Sequence, residues 1–194
     1  SYGSDKGIFA FGNTSPGPVV GMSNLVSNTG VVASDTTAVG TARSGLAACE
    51  YGEDKGIFGF GSGSSSTTNL VSNVGVVADD TTGVVGATGR SGLAACSYGG
   101  NKGIFGFGDG PTAVTNLVSN AGVVSADVTG VGTVRYGAGA TQYGGNKGIF
   151  GFGGAGGGVY YAMTNLVSNA GVVASDQAAV TGQTRQNSAA CSFN

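Results

Sequence analysis

The chain has 194 residues, 40 of them glycine; only 9% are charged, the formal net charge is -2, and there is no histidine. So little charge leaves no basic surface to hold nucleic acid or an anionic membrane by counterion release, and no run of about eighteen apolar residues is present to span a bilayer. Without histidine, Ser-His and Cys-His nucleophile pairs and imidazole metal sites are impossible. No secretory signal is visible, and a start at Ser1 fits a processed product or a segment of something longer.

The first element, Tyr2-Gly3-Ser4-Asp5-Lys6-Gly7-Ile8-Phe9-Ala10-Phe11-Gly12, returns in close copies beginning at Tyr51, Tyr98 and Tyr143. The markers Lys6, Lys55, Lys102 and Lys147 follow one another after 49, 47 and 45 residues. A period of about 48 residues suits a propeller blade or a large solenoid unit, and the glycines fall in register with Ile, Phe, Leu and Val rather than in a disordered tract. Glycine this dense excludes helical solenoids, because each glycine in a helix interior costs about 1 kcal/mol relative to alanine.

Each period reads as four short strands. In the third, the first strand is Arg90–Tyr98, built of small residues, and Gly99-Gly100-Asn101 supplies the positive φ that a tight hairpin needs. The second, Gly103–Gly108, places Phe105 and Phe107 on one face and Ile104 on the other by strand alternation. The third is Thr115–Ser119, with the Asn-Leu-Val-Ser-Asn run repeated at residues 24, 69, 116 and 165, and the fourth starts at Val123-Val124. The links between second and third strands vary (13–21, 62–66, 109–111, 154–161), so a binding face is expected there. The chain opens with a second strand and closes with a first strand, Arg185–Phe193. Pairing of that last strand with Gly7–Phe11 would complete four four-stranded blades in one domain, 1–194, and leave the ring no exposed edge.

Read from the arginine, Arg90-Ser91-Gly92-Leu93-Ala94-Ala95, Asn101–Gly108 and Asn116–Asn120 resemble a kelch-type β-propeller repeat, and the likeness runs the length of the chain. The same residues are similar to glycine-rich "KGIFGFG…TNLVSN" repeats in uncharacterised proteins of marine microbes and their viruses. The resemblance implies an all-β propeller in an extracellular or virion-surface setting, either closed on itself or as a pair of chains sharing a larger ring.

All eight basic residues belong to the repeat. Each arginine follows an aspartate (Asp35 and Arg43, Asp80 and Arg90, Asp127 and Arg135, Asp176 and Arg185), which predicts a structural ion pair in each unit, with an anion-binding arginine ring as the sharper alternative. The lysines read as solvated turn residues, Tyr2, Tyr51, Tyr98 and Tyr143 as packing between units, and Cys49, Cys96 and Cys191 as small buried hydrophobes. No catalytic carboxylate pair, metal-ligand spacing or cofactor motif is evident. The asymmetric feature is Val159-Tyr160-Tyr161 in the longest glycine-rich link, where Tyr160 and Tyr161 are candidates to stack on a sugar or a protein. The expectation is a non-enzymatic structural or adhesive module that engages a protein or glycan through its variable loops, with a homo-oligomer compatible with the repeat; a lectin-like sugar binder is the alternative.

Overall fold

The computed structural model describes residues 1–81, 83–178 and 182–193. All regular structure among them is β. The repeat is clearest in β6 (Ala94–Tyr98), β7 (Lys102–Gly106) and β8 (Thr115–Val118), an antiparallel sheet in that order, with Cys96 opposite Ile104 and Ile104 opposite Leu117. Gly99 and Gly100 carry the first hairpin at φ of 62° and 83°, values a side chain would strain. The same sheet is built by β3 (Ala47–Tyr51), β4 (Lys55–Gly59) and β5 (Thr68–Val71), and again by β9 (Gly139–Tyr143), β10 (Lys147–Gly151) and β13 (Thr164–Val167). The first unit has two strands, β1 (Gly7–Asn13) and β2 (Val19–Val26), and the glycine-rich link of the last unit folds into a hairpin of β11 (Gly154–Gly156) and β12 (Val159–Tyr160).

This architecture corrects the expected closed propeller of four four-stranded blades. The strands form five separate sheets of two or three strands, and none closes. The expected fourth strand is reduced to single bridges, such as Val71 with Val77 and Val118 with Val124. Beyond those bridges the segment is held by side chains instead of a backbone ladder: Asn69 Nδ2 donates to Ala78 O at 3.1 Å and to Asp80 Oδ1 at 2.9 Å. The C-terminal residues 189–193 form no strand and are exposed, and β1 pairs with β2 alone. Ala189, Ala190 and Ser192 offer little apolar area to set against about 1–2 kcal/mol of backbone entropy per ordered residue.

A second correction concerns the aromatic strand. β4, β7 and β10 end one residue before the second phenylalanine, β1 shifts register at it, and Phe11, Phe60, Phe107 and Phe152 all adopt left-handed φ of 63°, 65°, 62° and 63°. Phe105 and Phe107 are both fully buried, yet the alternation that would put them on one face stops at Gly106. A bulky residue held in this conformation costs on the order of 1–3 kcal/mol and needs its surroundings to hold it there.

Those surroundings are the neighbouring units. Phe60 meets Phe105 edge-on at 5.2 Å between centroids, and Phe107 meets Phe150 likewise at 5.2 Å. Each incoming ring lies over a strand glycine: a Cβ on Gly59 would come within 2.7 Å of Phe105, and one on Gly106 within 2.8 Å of Phe150. Tyr2, Tyr51 and Tyr98 are buried over Gly75, Gly122 and Gly171, turn glycines of the following unit. Cys49 and Cys96 sit against Gly103 and Gly148 of the next sheet, whereas Cys191 is exposed and packs on no glycine. Gly106→Ala is therefore expected to destabilise the chain by about 1–3 kcal/mol through overpacking, read as a lower urea midpoint at unchanged m-value.

Candidate functional site

The repeated polar residues converge on the junctions between units. Arg90 is buried; its Nε donates to Phe107 O at 2.7 Å, Nη1 to Thr88 O at 3.0 Å and Nη2 to Asn116 Oδ1 at 2.8 Å. Arg43 repeats the set on Phe60 O, Thr41 O and Asn69, and Arg135 does so on Thr133 O and Asn165. Each guanidinium also covers the left-handed phenylalanine of the preceding unit: Arg43 lies 4.3 Å from the Phe11 centroid, Arg90 4.5 Å from Phe60, Arg135 3.7 Å from Phe107 and Arg185 3.5 Å from Phe152. Phe60 and Phe107 are thus fixed from both sides, by a bond to the carbonyl and a cation over the ring, whereas Phe11 and Phe152 have the cation alone.

The ion pairing runs opposite to the sequence expectation. Arg43 pairs with Asp80 at 3.7 Å and Arg135 with Asp176 at 3.9 Å, in each case the aspartate that follows the arginine across a whole unit. Arg90 and Asp127 are joined through Thr88 and Asn116 instead. The cause is the asparagine on the third strand, whose carbonyl oxygen takes the arginine while its amide holds the aspartate. Asp80 and Arg90, Asp127 and Arg135, and Asp176 and Arg185, although near in sequence, are not partners. Asp35 accepts Asn24 Nδ2 at 2.7 Å, and among the described residues the Arg185 guanidinium donates to Gln183 O, at 3.4 Å. With Arg43, Arg90 and Arg135 at 1%, 3% and 0% exposure, no ring of arginines is presented to an anion.

Burial pushes the Arg90 and Arg135 guanidinium groups down to about 10, which leaves both charged at neutral pH. For Asp80, Asp127 and Asp176 burial acts upward, but the hydrogen bonds from Thr41, Thr88 or Thr133 and from the asparagine outweigh it and hold each carboxyl below its ordinary 3.8. A carboxyl depressed in the folded state contributes stability that is fully present above the unfolded value and lost as pH falls through the folded one. Melting temperature should therefore be level from neutral pH down to about pH 5 and fall below about pH 4, and Asp127→Asn should flatten that acid limb.

Lys6 and Lys55 contact the carboxylates of Asp5 and Asp54 at 2.8 and 3.1 Å in exposed turns. Tyr160 is 43% exposed on β12, and with Tyr161 it borders a cavity of about 330 Å³ whose other walls include Met163, Asp176, Gln177 and Thr184. The Asp176 oxygens are already engaged by Thr133 and Asn165, so the polar groups left to a ligand are the tyrosine hydroxyls, Gln177 and Thr184. Sequence reading missed a larger cavity, about 540 Å³, bordered by β3, β6 and β9 together with Ile8 and Ala190–Ser192. Its signal was the run of small residues in the first strand of each unit, and Glu50 is the charged side chain on it. Among the described residues no group of three or more Cys, Asp or Glu side chains is placed to hold a metal ion, and no helix is long and apolar enough to cross a membrane.

No protein-family model matches the chain, and no curated protein matches it. Its fold is similar to that of the solved "Structure of YjhT", with a TM-score of 0.57 and 12% identity over 82% of this chain and 52% of that one. The chain thus spans about half the length of that protein, and at this identity the likeness concerns fold alone.

Proposed function

We propose that the chain is a non-enzymatic structural or adhesive module of a virion or cell surface, which presents its variable links to a protein partner. The observation that carries this reading is the use made of the repeat's ionisable groups: Arg43, Arg90 and Arg135 are buried and, with Asp80, Asp127 and Asp176, bind one unit into a rigid frame. What differs from unit to unit is the link after the aromatic strand, and these links leave equivalent ends of equivalent strands. The low charge and the Ser, Thr, Asn and Gly content fit an exposed module.

A lectin-like role is the second reading, favoured by Tyr160 and Tyr161 on one cavity beside Gln177 and Thr184. A glycan array decides between them. Silence across the array, with no turnover of glycoside substrates, supports the structural module; saturable binding that Tyr160→Ala abolishes replaces it with the lectin.

A further inference from the structure

We propose that the head of one copy of this chain docks on the tail of a second copy, repeating between chains the junction that joins neighbouring units within one. The internal junctions define what such a contact requires: a phenylalanine over a strand glycine, as Phe105 over Gly59 and Phe150 over Gly106; a tyrosine over a turn glycine; and an arginine that covers the preceding phenylalanine and is tied to the asparagine and aspartate that follow it, as Arg43 is to Asn69 and Asp80. The two ends of the chain carry complementary halves of each requirement, and the chain's own ends do not join them.

At the head, Phe9 is 66% exposed, whereas its counterparts Phe58, Phe105 and Phe150 are 7%, 0% and 0% exposed. At the tail, Gly151 offers the matching seat: a Cβ there would meet only Thr164, at 3.3 Å, and a cavity of about 180 Å³ opens beside it, bordered by Phe152, Arg185, Ala189 and Ala190. Its size fits one aromatic ring. Tyr143 at the tail is half-buried where Tyr2, Tyr51 and Tyr98 are 4%, 4% and 3% exposed, and Gly30 at the head has nothing within 4 Å where its three counterparts lie under tyrosine rings.

Charge supplies the third match. Asn24 already orients Asp35 as Asn69 orients Asp80, with amide to carboxylate distances of 2.7 and 2.9 Å, but the arginine that Asn69 and Asp80 receive has no equivalent at Asn24 and Asp35. Arg185, exposed and stacked on Phe152, is the cation of that series with no asparagine or aspartate among its described contacts. Backbone completes the set: β1 has a free edge, and residues 189–193 align in sequence with β3 and β6, so that Cys191 would face Ile8 of the second copy as Cys49 faces Ile57. Continuity with three existing junctions and opposite charge at the two ends favour a second copy over an unrelated apolar partner. The contact is heterologous, so it closes or propagates according to its angle. It stands whatever the variable links bind.

Sedimentation velocity of the 194-residue chain over a range of concentrations tests this. The mass should rise above that of the monomer with concentration, and Phe9→Ala, Asp35→Arg and Arg185→Asp should each weaken association by about tenfold or more. All three positions are exposed, so circular dichroism spectra that match the wild type at the assay temperature confirm that the variants fold. Mixing Asp35→Arg with Arg185→Asp restores an intact head to an intact tail and should restore association, with slower alkylation of Cys191. A wild-type chain that stays monomeric, as it would if its own head filled its tail, overturns the proposal, and so does association that the three substitutions leave unchanged.

Discussion

Arg90→Ala is expected to lower the unfolding free energy by about 3–5 kcal/mol, a large loss for a single polar side chain. Arg90 is 3% exposed, and its removal strands the Phe107 carbonyl, the Thr88 carbonyl and the Asn116 carboxamide oxygen in a site that water reaches poorly. It also uncovers Phe60, whose left-handed backbone depends on the guanidinium 4.5 Å above its ring. Arg90→Lys separates the two contributions. Lysine keeps the charge and one donor but not the planar fork that reaches Phe107, Thr88 and Asn116 together, so about half the loss should remain. Urea unfolding followed by circular dichroism reads both variants, the chain having no tryptophan. Retention of wild-type stability by Arg90→Ala would show that the junction is held by apolar packing alone.

Phe105→Ala should cost a comparable 3–5 kcal/mol, because it empties a fully buried ring site between two units. Phe105 lies over Gly59 and edge-on to Phe60, with no exposed surface to soften the loss. Its sequence equivalent Phe9 provides the control. At 66% exposure, Phe9→Ala should change monomer stability by less than about 0.5 kcal/mol. Two identical substitutions at one repeat position thus separate by several kcal/mol, and equal losses would mean that Phe9 is covered within the monomer.

The Phe9 and Phe105 contrast marks how far the sequence could be read. Both stand in the same Gly-Ile-Phe run, and only the presence of a preceding unit's glycine distinguishes them. Strand positions were legible because they depend on local pattern: β6 and β8 fall inside the stretches that glycine turns and apolar runs marked out, and β7 begins one residue before its own, at Lys102. The fourth strand was not legible. Val123-Val124 has strand propensity, but whether a ladder forms depends on a partner, and the asparagine side chain of β8 takes the place that a ladder would have occupied.

The candidate site divides in the same way. That Tyr160 and Tyr161 are set apart follows from their interruption of a repeat, which sequence displays; that they share a cavity with Gln177 and Thr184 comes from the fold. The sequence alone determined the period, the all-β class and the residues that recur, since a periodic string of glycine and apolar residues admits little else. Only the tertiary structure decided which aspartate meets which arginine, where the aromatic strand stops, and that the last segment forms no ladder with the first. Those outcomes rest on distances between residues one unit or more apart, and such distances are set by packing between sheets, which no local pattern encodes.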